Sequence, residues 1–255
     1  MYPIICEFGP FTVYSYGLMI VLAFSISVFL LTRQTSREGL NPDFIFNLCF
    51  ITLGCGIIGA RLLYVVLNID YFFLNPVEIV MLNRGGLAWF GGLFLASAGF
   101  IIYLKFKRQG IYKIADMVIP YVALAQAIGR VGCLLNGCCF GERTFGFGLY
   151  FPVHQAVLIP TQIYSSLLLL GIYVILRIKY SRVHLSGEIL YFYFLLYSLK
   201  RFFIEFPRAD NAVVIFNLSI FQIFSVGLFI FSLIMLFKIH IPQMRTDKKI
   251  QDQHR

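Results

Sequence analysis

The chain has 255 residues, of which 59% are hydrophobic and 13% charged, and its mean hydropathy is +0.81. Soluble domains carry about 25% charged residues, so a water-soluble globular fold is excluded and an all-α integral membrane protein is expected. The net charge of +9 invites a nucleic-acid reading, but two thirds of the basic residues fall where membrane topology alone would put them, and nucleic acid is not expected as a partner.

A transmembrane helix needs about 20 apolar residues. Seven segments fit, at approximately 14–31, 44–67, 85–104, 115–135, 160–178, 187–206 and 218–237. They make one polytopic membrane domain over 1–255. No cleavable signal is expected, because Met1 to Phe11 lacks a basic start and the first apolar run is long enough to remain as a span. Arg33 and Arg37 follow the first span, and Lys105, Lys107, Arg108 and Lys113 follow the third. Arg177, Lys179 and Arg182 follow the fifth, and Lys238, Arg245, Lys248, Lys249 and Arg255 the seventh. Every second connection is basic, which predicts an outer N-terminus and a cytoplasmic C-terminus. Seven basic residues remain: Arg61, Arg84, Arg130, Arg143, Lys200, Arg201 and Arg208.

The longest outer connection, Asn136 to Pro160, holds Gly137, Phe140, Gly141, Phe145, Gly146, Phe147, Gly148, Tyr150 and Phe151. It is too apolar for a solvated loop, so it packs on protein or lines a cavity. The outer segment Asp70 to Arg84 offers Phe72, Phe73 and Leu74 to the interface, and the polar tail from Met244 to Arg255 is expected to fray.

Arg61, Arg130 and Arg201 sit within or at the mouths of spans. An arginine near the bilayer centre costs roughly 2.5–3.5 kcal/mol on insertion scales, so it normally faces a polar cavity. Three such cations point to an anionic ligand, with a phospholipid headgroup the nearest candidate. Tyr197, Arg201 and Glu205 share one helix face at i, i+4 and i+8. Arg201–Glu205 reads either as a structural ion pair or as a phosphate-binding arginine with its orienting carboxylate. Gly129-Arg130-Val131-Gly132 leads into Cys133, Asn136, Gly137, Cys138, Cys139 and Gly141, and Gly59-Ala60-Arg61 with Tyr64 is a similar small-residue site.

These blocks resemble the prolipoprotein diacylglyceryl transferase family along nearly the whole chain. Phe8-Gly9-Pro10 with Tyr14 and Tyr16-Gly17 is similar to its N-terminal block. Gly59-x-Arg61-x-x-Tyr64-Val65, the Gly85-Gly86 to Gly91-Gly92 stretch and Gly129-Arg130-x-Gly132 through Asn136-Gly137 and Gly141 follow. Gly148-x-x-Phe151-Pro152, Pro160-Thr161-Gln162-x-Tyr164 and Arg201-Phe202-x-x-Glu205-Phe206 complete the series. The resemblance implies transfer of a diacylglyceryl group from phosphatidylglycerol to the lipobox cysteine of a prolipoprotein signal peptide, at the outer face of the bacterial cytoplasmic membrane. It implies catalytic roles for Arg130, Arg201, Glu205, Tyr197 and Tyr16, and substrate binding by Arg130, Asn136, Gly141 and Arg61. The family's histidine in the third-span block is Phe90 here; Cys133 and Cys138 replace an Asn and a Glu of the signature, and Ile159 and Ser165 a His and a Glu of the motif before span five.

Cys49 and Cys55 read as small core residues, whereas Cys133, Cys138 and Cys139 occupy a motif. A packing or disulfide role, redox or nucleophilic chemistry beside Arg130, and metal binding are the three readings of that trio. No histidine has ligand spacing, so no metal and no cofactor are called for. His154, the one histidine expected outside, reads as a solvated loop residue unless its loop folds over the site. A monomer is expected. The alternative function is a related lipid-binding homologue with changed, cysteine-dependent chemistry or with no catalysis.

Overall fold

The computed structural model describes residues 2–8, 11–81, 85–144, 146, 148–208, 213–215 and 218–253. Gly9, Pro10, Arg84, Phe145, Phe147 and Arg255, named above, lie outside the described residues, as do the side chains of Phe8, Arg245, Lys248 and Lys249. Eight α-helices follow in order: α1 (Ser15–Arg37), α2 (Pro42–Leu67), the short α3 (Ile69–Leu74), α4 (Trp89–Phe106), α5 (Ile111–Asn136), α6 (Thr161–Tyr180), α7 (Glu188–Glu205) and α8 (Ile220–Gln253). Among the described residues, six of them are long and apolar enough to cross a membrane: α1, α2, α4, α5, α6 and α8. The seventh expected span is the 18-residue α7, set apart by Glu188, Lys200, Arg201 and Glu205. The tail expected to fray is helical to Gln253.

Among the described residues, three antiparallel two-stranded hairpins, not read from the sequence, decorate the helices. They are β1 (Ile4–Phe8) with β2 (Phe11–Tyr14), β3 (Leu149–Phe151) with β4 (Ala156–Leu158), and β5 (Val213–Ile215) with β6 (Leu218–Ser219).

The chain divides into two compact units, Leu30–Ile114 and the remainder, Met1–Phe29 with Ala115–Arg255. In the first, Asn41 caps α2 by accepting from Asp43 N at 2.8 Å, with Pro42 in the first turn where a missing N–H costs nothing. Helices α2 and α4 cross where glycines let backbones touch, since a Cβ on Gly59 or Gly91 would collide with the other's carbonyl oxygen. Within a bilayer such small-residue contacts supply the packing that a hydrophobic effect cannot. Cys55 fills the space left by Gly99 on the same interface, a packing role. Gly91→Val should therefore destabilise the helix pair by about 1–3 kcal/mol, as overpacked cores do, and lower the melting temperature of the purified protein.

The larger unit is built around α5, α6 and α7. Ala123, Ala127, Leu169, Ile172, Leu176, Ile189 and Tyr193 form its buried cluster. Asp116 of α5 starts α7 by accepting from Gly187 N at 2.6 Å and Leu190 N at 2.8 Å. Further along α7, Tyr193 Oη donates to Gln126 Oε1 at 2.9 Å, fixing the α5 face that carries Arg130 one turn later. Ser166 Oγ donates to Ala127 O at 2.8 Å and ties α6 to the same helix.

Candidate functional site

The face of α7 predicted from i, i+4, i+8 spacing forms a charge network. Arg201 Nη2 lies 3.1 Å from Glu205 Oε2, and Arg208 Nε approaches the same oxygen at 3.9 Å. Ser219 Oγ donates to Glu205 Oε1 at 2.9 Å. Ser219 also opens α8 in a reciprocal cap: its N–H donates to Gln222 Oε1 at 2.9 Å, and Gln222 N donates back to Ser219 Oγ at 3.3 Å. The Glu205 side chain is 2% exposed and that of Arg201 13%, so this carboxylate is an internal anchor between α7 and α8. Arg201 also lies over the Phe221 ring, 4.7 Å from its centre.

Lys200 is buried and sits 5.1 Å from the Tyr197 ring centre, within electrostatic range of Arg130, Arg201 and Arg208. Three arginines thus gather around Lys200, and Glu205 pairs with two of them, Arg201 and Arg208. Arg130 is half-buried on α5, and among the described residues no ion pair is formed to it. A planar guanidinium so placed suits two-point binding of a phosphate.

Tyr16, in the first turn of α1, feels the charge of Arg130 and of all three motif thiols. Gly132 makes room for it, since a Cβ there would stand 3.3 Å from Tyr16 Cδ2 and 2.9 Å from Met19 Cβ. Asn136, the last residue of α5, hydrogen-bonds the Cys138 thiol. Gly141 is where the 136–160 connection passes between Ile159 and Pro207; a Cβ would strike Pro207 O, and Gly141 N donates to Ile159 O at 2.9 Å. The apolar connection is folded as expected: Phe151 is fully buried, and the β3–β4 hairpin continues through Thr144 N to Val157 O at 3.1 Å.

The Sγ atoms of Cys133, Cys138 and Cys139 lie within 4.8 Å of one another, and all three are free thiols. Cys139 has φ 61°, a left-handed conformation that costs a non-glycine residue about 1–3 kcal/mol. The surroundings enforce it. Thr161 Oγ1 donates to Cys139 O at 2.6 Å and Gln162 Nε2 to Cys138 O at 2.7 Å, both from nearly fully buried side chains at the start of α6. Hydrogen bonds from Cys133 and then Cys138 hold the Cys139 thiol well below its usual range, with Arg130 and Arg208 assisting against burial. At Cys138 the bond with Cys133 also pulls downward, but the bond to Cys139, burial and the Cys139 charge together push that thiol up.

Two expectations change. His154 is not a solvated loop residue: the hairpin folds back, its ring packs 4.1 Å from Phe140, and its Nε2 donates to Gly137 O at 3.2 Å. Arg61, expected to bind substrate, spends its donors on the protein. Its Nε donates to Ile79 O at 2.8 Å, Nη1 to Gly85 O at 2.7 Å and Gly86 O at 2.9 Å, and Nη2 to Glu78 O and Met81 O. With Tyr64 and Phe72 beside the guanidinium, Arg61 clamps the segment before α4 and has no N–H left for a phosphate. Lysine cannot reproduce this fork, so Arg61→Lys should raise amide hydrogen exchange over Glu78–Met81 and lower stability by about 1–3 kcal/mol.

Lys200, Arg208, Ser219 and Gln162 were not assigned roles from the sequence. The first two stood out as basic residues that topology does not explain; Ser219 with Gln222 has the spacing of a capping box.

Helices of this length and apolarity define a multi-pass membrane protein, one that carries a cluster of basic groups beside polar and thiol side chains. The family model described as prolipoprotein diacylglyceryl transferase matches residues 3–238. Three relatives named phosphatidylglycerol–prolipoprotein diacylglyceryl transferase are similar over most of both chains. The Clostridium tetani (strain Massachusetts / E88) protein is 34% identical over 250 residues, covering 91% of this chain and 98% of its own. That of Bacillus cytotoxicus (strain DSM 22905 / CIP 110041 / 391-98 / NVH 391-98) is 35% identical over 240 residues, covering 89% and 88%. That of Bacillus cereus (strain G9842) is 33% identical over 243 residues, covering 90% and 89%. The chain belongs to the prolipoprotein diacylglyceryl transferase family.

Proposed function

We propose that this protein transfers the diacylglyceryl group of phosphatidylglycerol to the lipobox cysteine thiol of prolipoproteins, in lipoprotein biogenesis. The observation that carries the reading is the gathering of Arg130, Arg201 and Arg208 about Lys200, with the single carboxylate of Glu205 paired to Arg201 and Arg208. The chemistry demands such a cluster. A thiolate sulfur attacks the glyceryl carbon, the C–O bond to phosphate breaks, and a phosphate monoester leaves with one more negative charge than the diester had. Fixed cations aimed at that charge favour the transition state over the bound lipid.

In this reading Arg130 and Arg201 hold the phosphate, with Lys200 and Arg208 adding to the field. Glu205 and Tyr197 orient Arg201, and Tyr16, Asn136 and Gly141 shape the pocket beside the thiols. The enzyme works as a monomer and as a single polytopic domain, the latter supported by a family match that runs through both compact units. The basic connections support an outer N-terminus, a cytoplasmic C-terminus and a site facing outward from the bacterial cytoplasmic membrane.

The test is purified protein incubated with phosphatidylglycerol and a lipobox peptide, followed by the mass of the peptide. A diacylglyceryl gain on the cysteine is expected. Phosphatidylglycerol binding with no mass gain would favour instead a lipid-binding homologue without turnover, the reading that Phe90 in place of the family's histidine motivates.

A further inference from the structure

Three sulfurs brought together by C-x4-C-C spacing need special backbone, and this chain supplies it. Consecutive residues of an extended strand point to opposite sides, so Cys138 and Cys139 can face one centre only through a turn. Gly137 at φ 74° and Cys139 at φ 61° make that turn, and the buried Thr161 and Gln162 hold its carbonyls. Cys133 O receives Cys138 N at 3.1 Å and so fixes the loop to the end of α5. Gln162, whose Nε2 holds Cys138 O, has a buried Oε1 that makes no hydrogen bond among the described residues.

Zn–S bonds of about 2.3 Å at tetrahedral angles put sulfurs roughly 3.8 Å apart. The thiols, already within 4.8 Å, need to close by only about 1 Å. Thiolates select soft or borderline ions over magnesium or calcium. Catalytic zinc sites keep three protein ligands and leave a fourth position for water or substrate. Three thiolates and a divalent ion carry one net negative charge, and Arg130 and Arg208 lie within range to balance it.

We propose that Cys133, Cys138 and Cys139 form a three-thiolate site for a zinc-class ion whose fourth position takes the acceptor cysteine of the peptide substrate. This rests on the transferase reading above and deepens it. An ordinary cysteine is only a few per cent thiolate at neutral pH, whereas a thiol that coordinates such an ion is deprotonated outright. The acceptor loses its proton to water on binding. Its sulfur then uses an electron pair to form the C–S bond as the C–O bond breaks, and that bonding pair leaves on the phosphate oxygen. The product thioether is neutral, binds the ion weakly and departs. No oxidant or reductant is consumed.

The test uses the full chain in detergent, stripped by a chelator under reducing conditions and titrated with Co2+. Sulfur-to-cobalt charge-transfer absorption saturating at about one ion per chain is expected, with loss of the band in Cys139→Ser. Cys139→His, which keeps a ligand, should retain binding with an altered spectrum, and so separates ligation from misfolding. Stripping should cut peptide diacylglycerylation by about 100-fold or more, with recovery on adding Zn2+. No cobalt band, or transfer untouched by stripping, overturns the metal proposal while leaving the transferase intact. A cobalt band in a protein that never modifies the peptide overturns the substrate-activating role and the transferase reading together, and leaves only a metal site.

Discussion

Arg130→Ala should lower kcat/KM for diacylglyceryl transfer by about 100–1,000-fold, the usual loss when one preorganised donor to a developing negative charge is removed. Arg130 is the member of the cationic cluster that Glu205 does not hold, since Arg201 and Arg208 are the ones drawn to that carboxylate. Among the described residues no carboxylate is paired with its guanidinium, which leaves both edges of the fork open to a phosphate in the proposed reaction. The effect should fall on kcat more than on KM, because charge on the leaving phosphate grows only as the C–O bond breaks. Arg130→Lys keeps the charge and loses the two-point fork, so its activity should lie between the two. Initial rates with phosphatidylglycerol nanodiscs, beside melting temperatures of each variant, would check this. Unchanged turnover in Arg130→Ala would remove the phosphate from this residue.

Glu205→Gln should be the most destabilising conservative change in the larger unit, by about 3–5 kcal/mol, the cost of breaking a buried ion pair from one side. The glutamine can still accept from Ser219 Oγ, so the α8 cap survives and the loss isolates charge. Arg201 and Arg208 would then repel each other and Lys200 without compensation. An anionic lipid should partly replace the lost carboxylate. The melting temperature of Glu205→Gln should therefore rise more with added phosphatidylglycerol than that of the wild type, while phosphatidylcholine leaves both alone. Equal melting temperatures for variant and wild type would show that Glu205 is not the anchor of the cluster.

The helices were legible because a span must be a long apolar run, and hydropathy reports that directly. α7 was legible despite its charges, since Tyr197, Arg201 and Glu205 recur at helical spacing and meet on one face as that spacing demands. The hairpins were not, because strands of two to five residues at the ends of helices leave no period to read. Arg61 shows a different limit. A cation inside an apolar run signals a polar environment, yet the sequence cannot say whether that environment is a ligand or the chain's own carbonyls. His154 and the three cysteines depend on how the 136–160 connection folds back, which is a tertiary event. Lys200 and Arg208 were visible as charge that topology left over, and only packing against Glu205 and Tyr197 gave that charge a place.

In the proposed reaction the cationic cluster assists departure of glycerol phosphate specifically when a thiol attacks. Single-turnover reactions with headgroup-labelled phosphatidylglycerol and a lipobox peptide test it most directly. One glycerol phosphate should appear per thioether formed, with none when the peptide cysteine is serine and almost none in Arg130→Ala. Release of glycerol phosphate without a thiol, or thioether formation that Arg130→Ala leaves untouched, would contradict it.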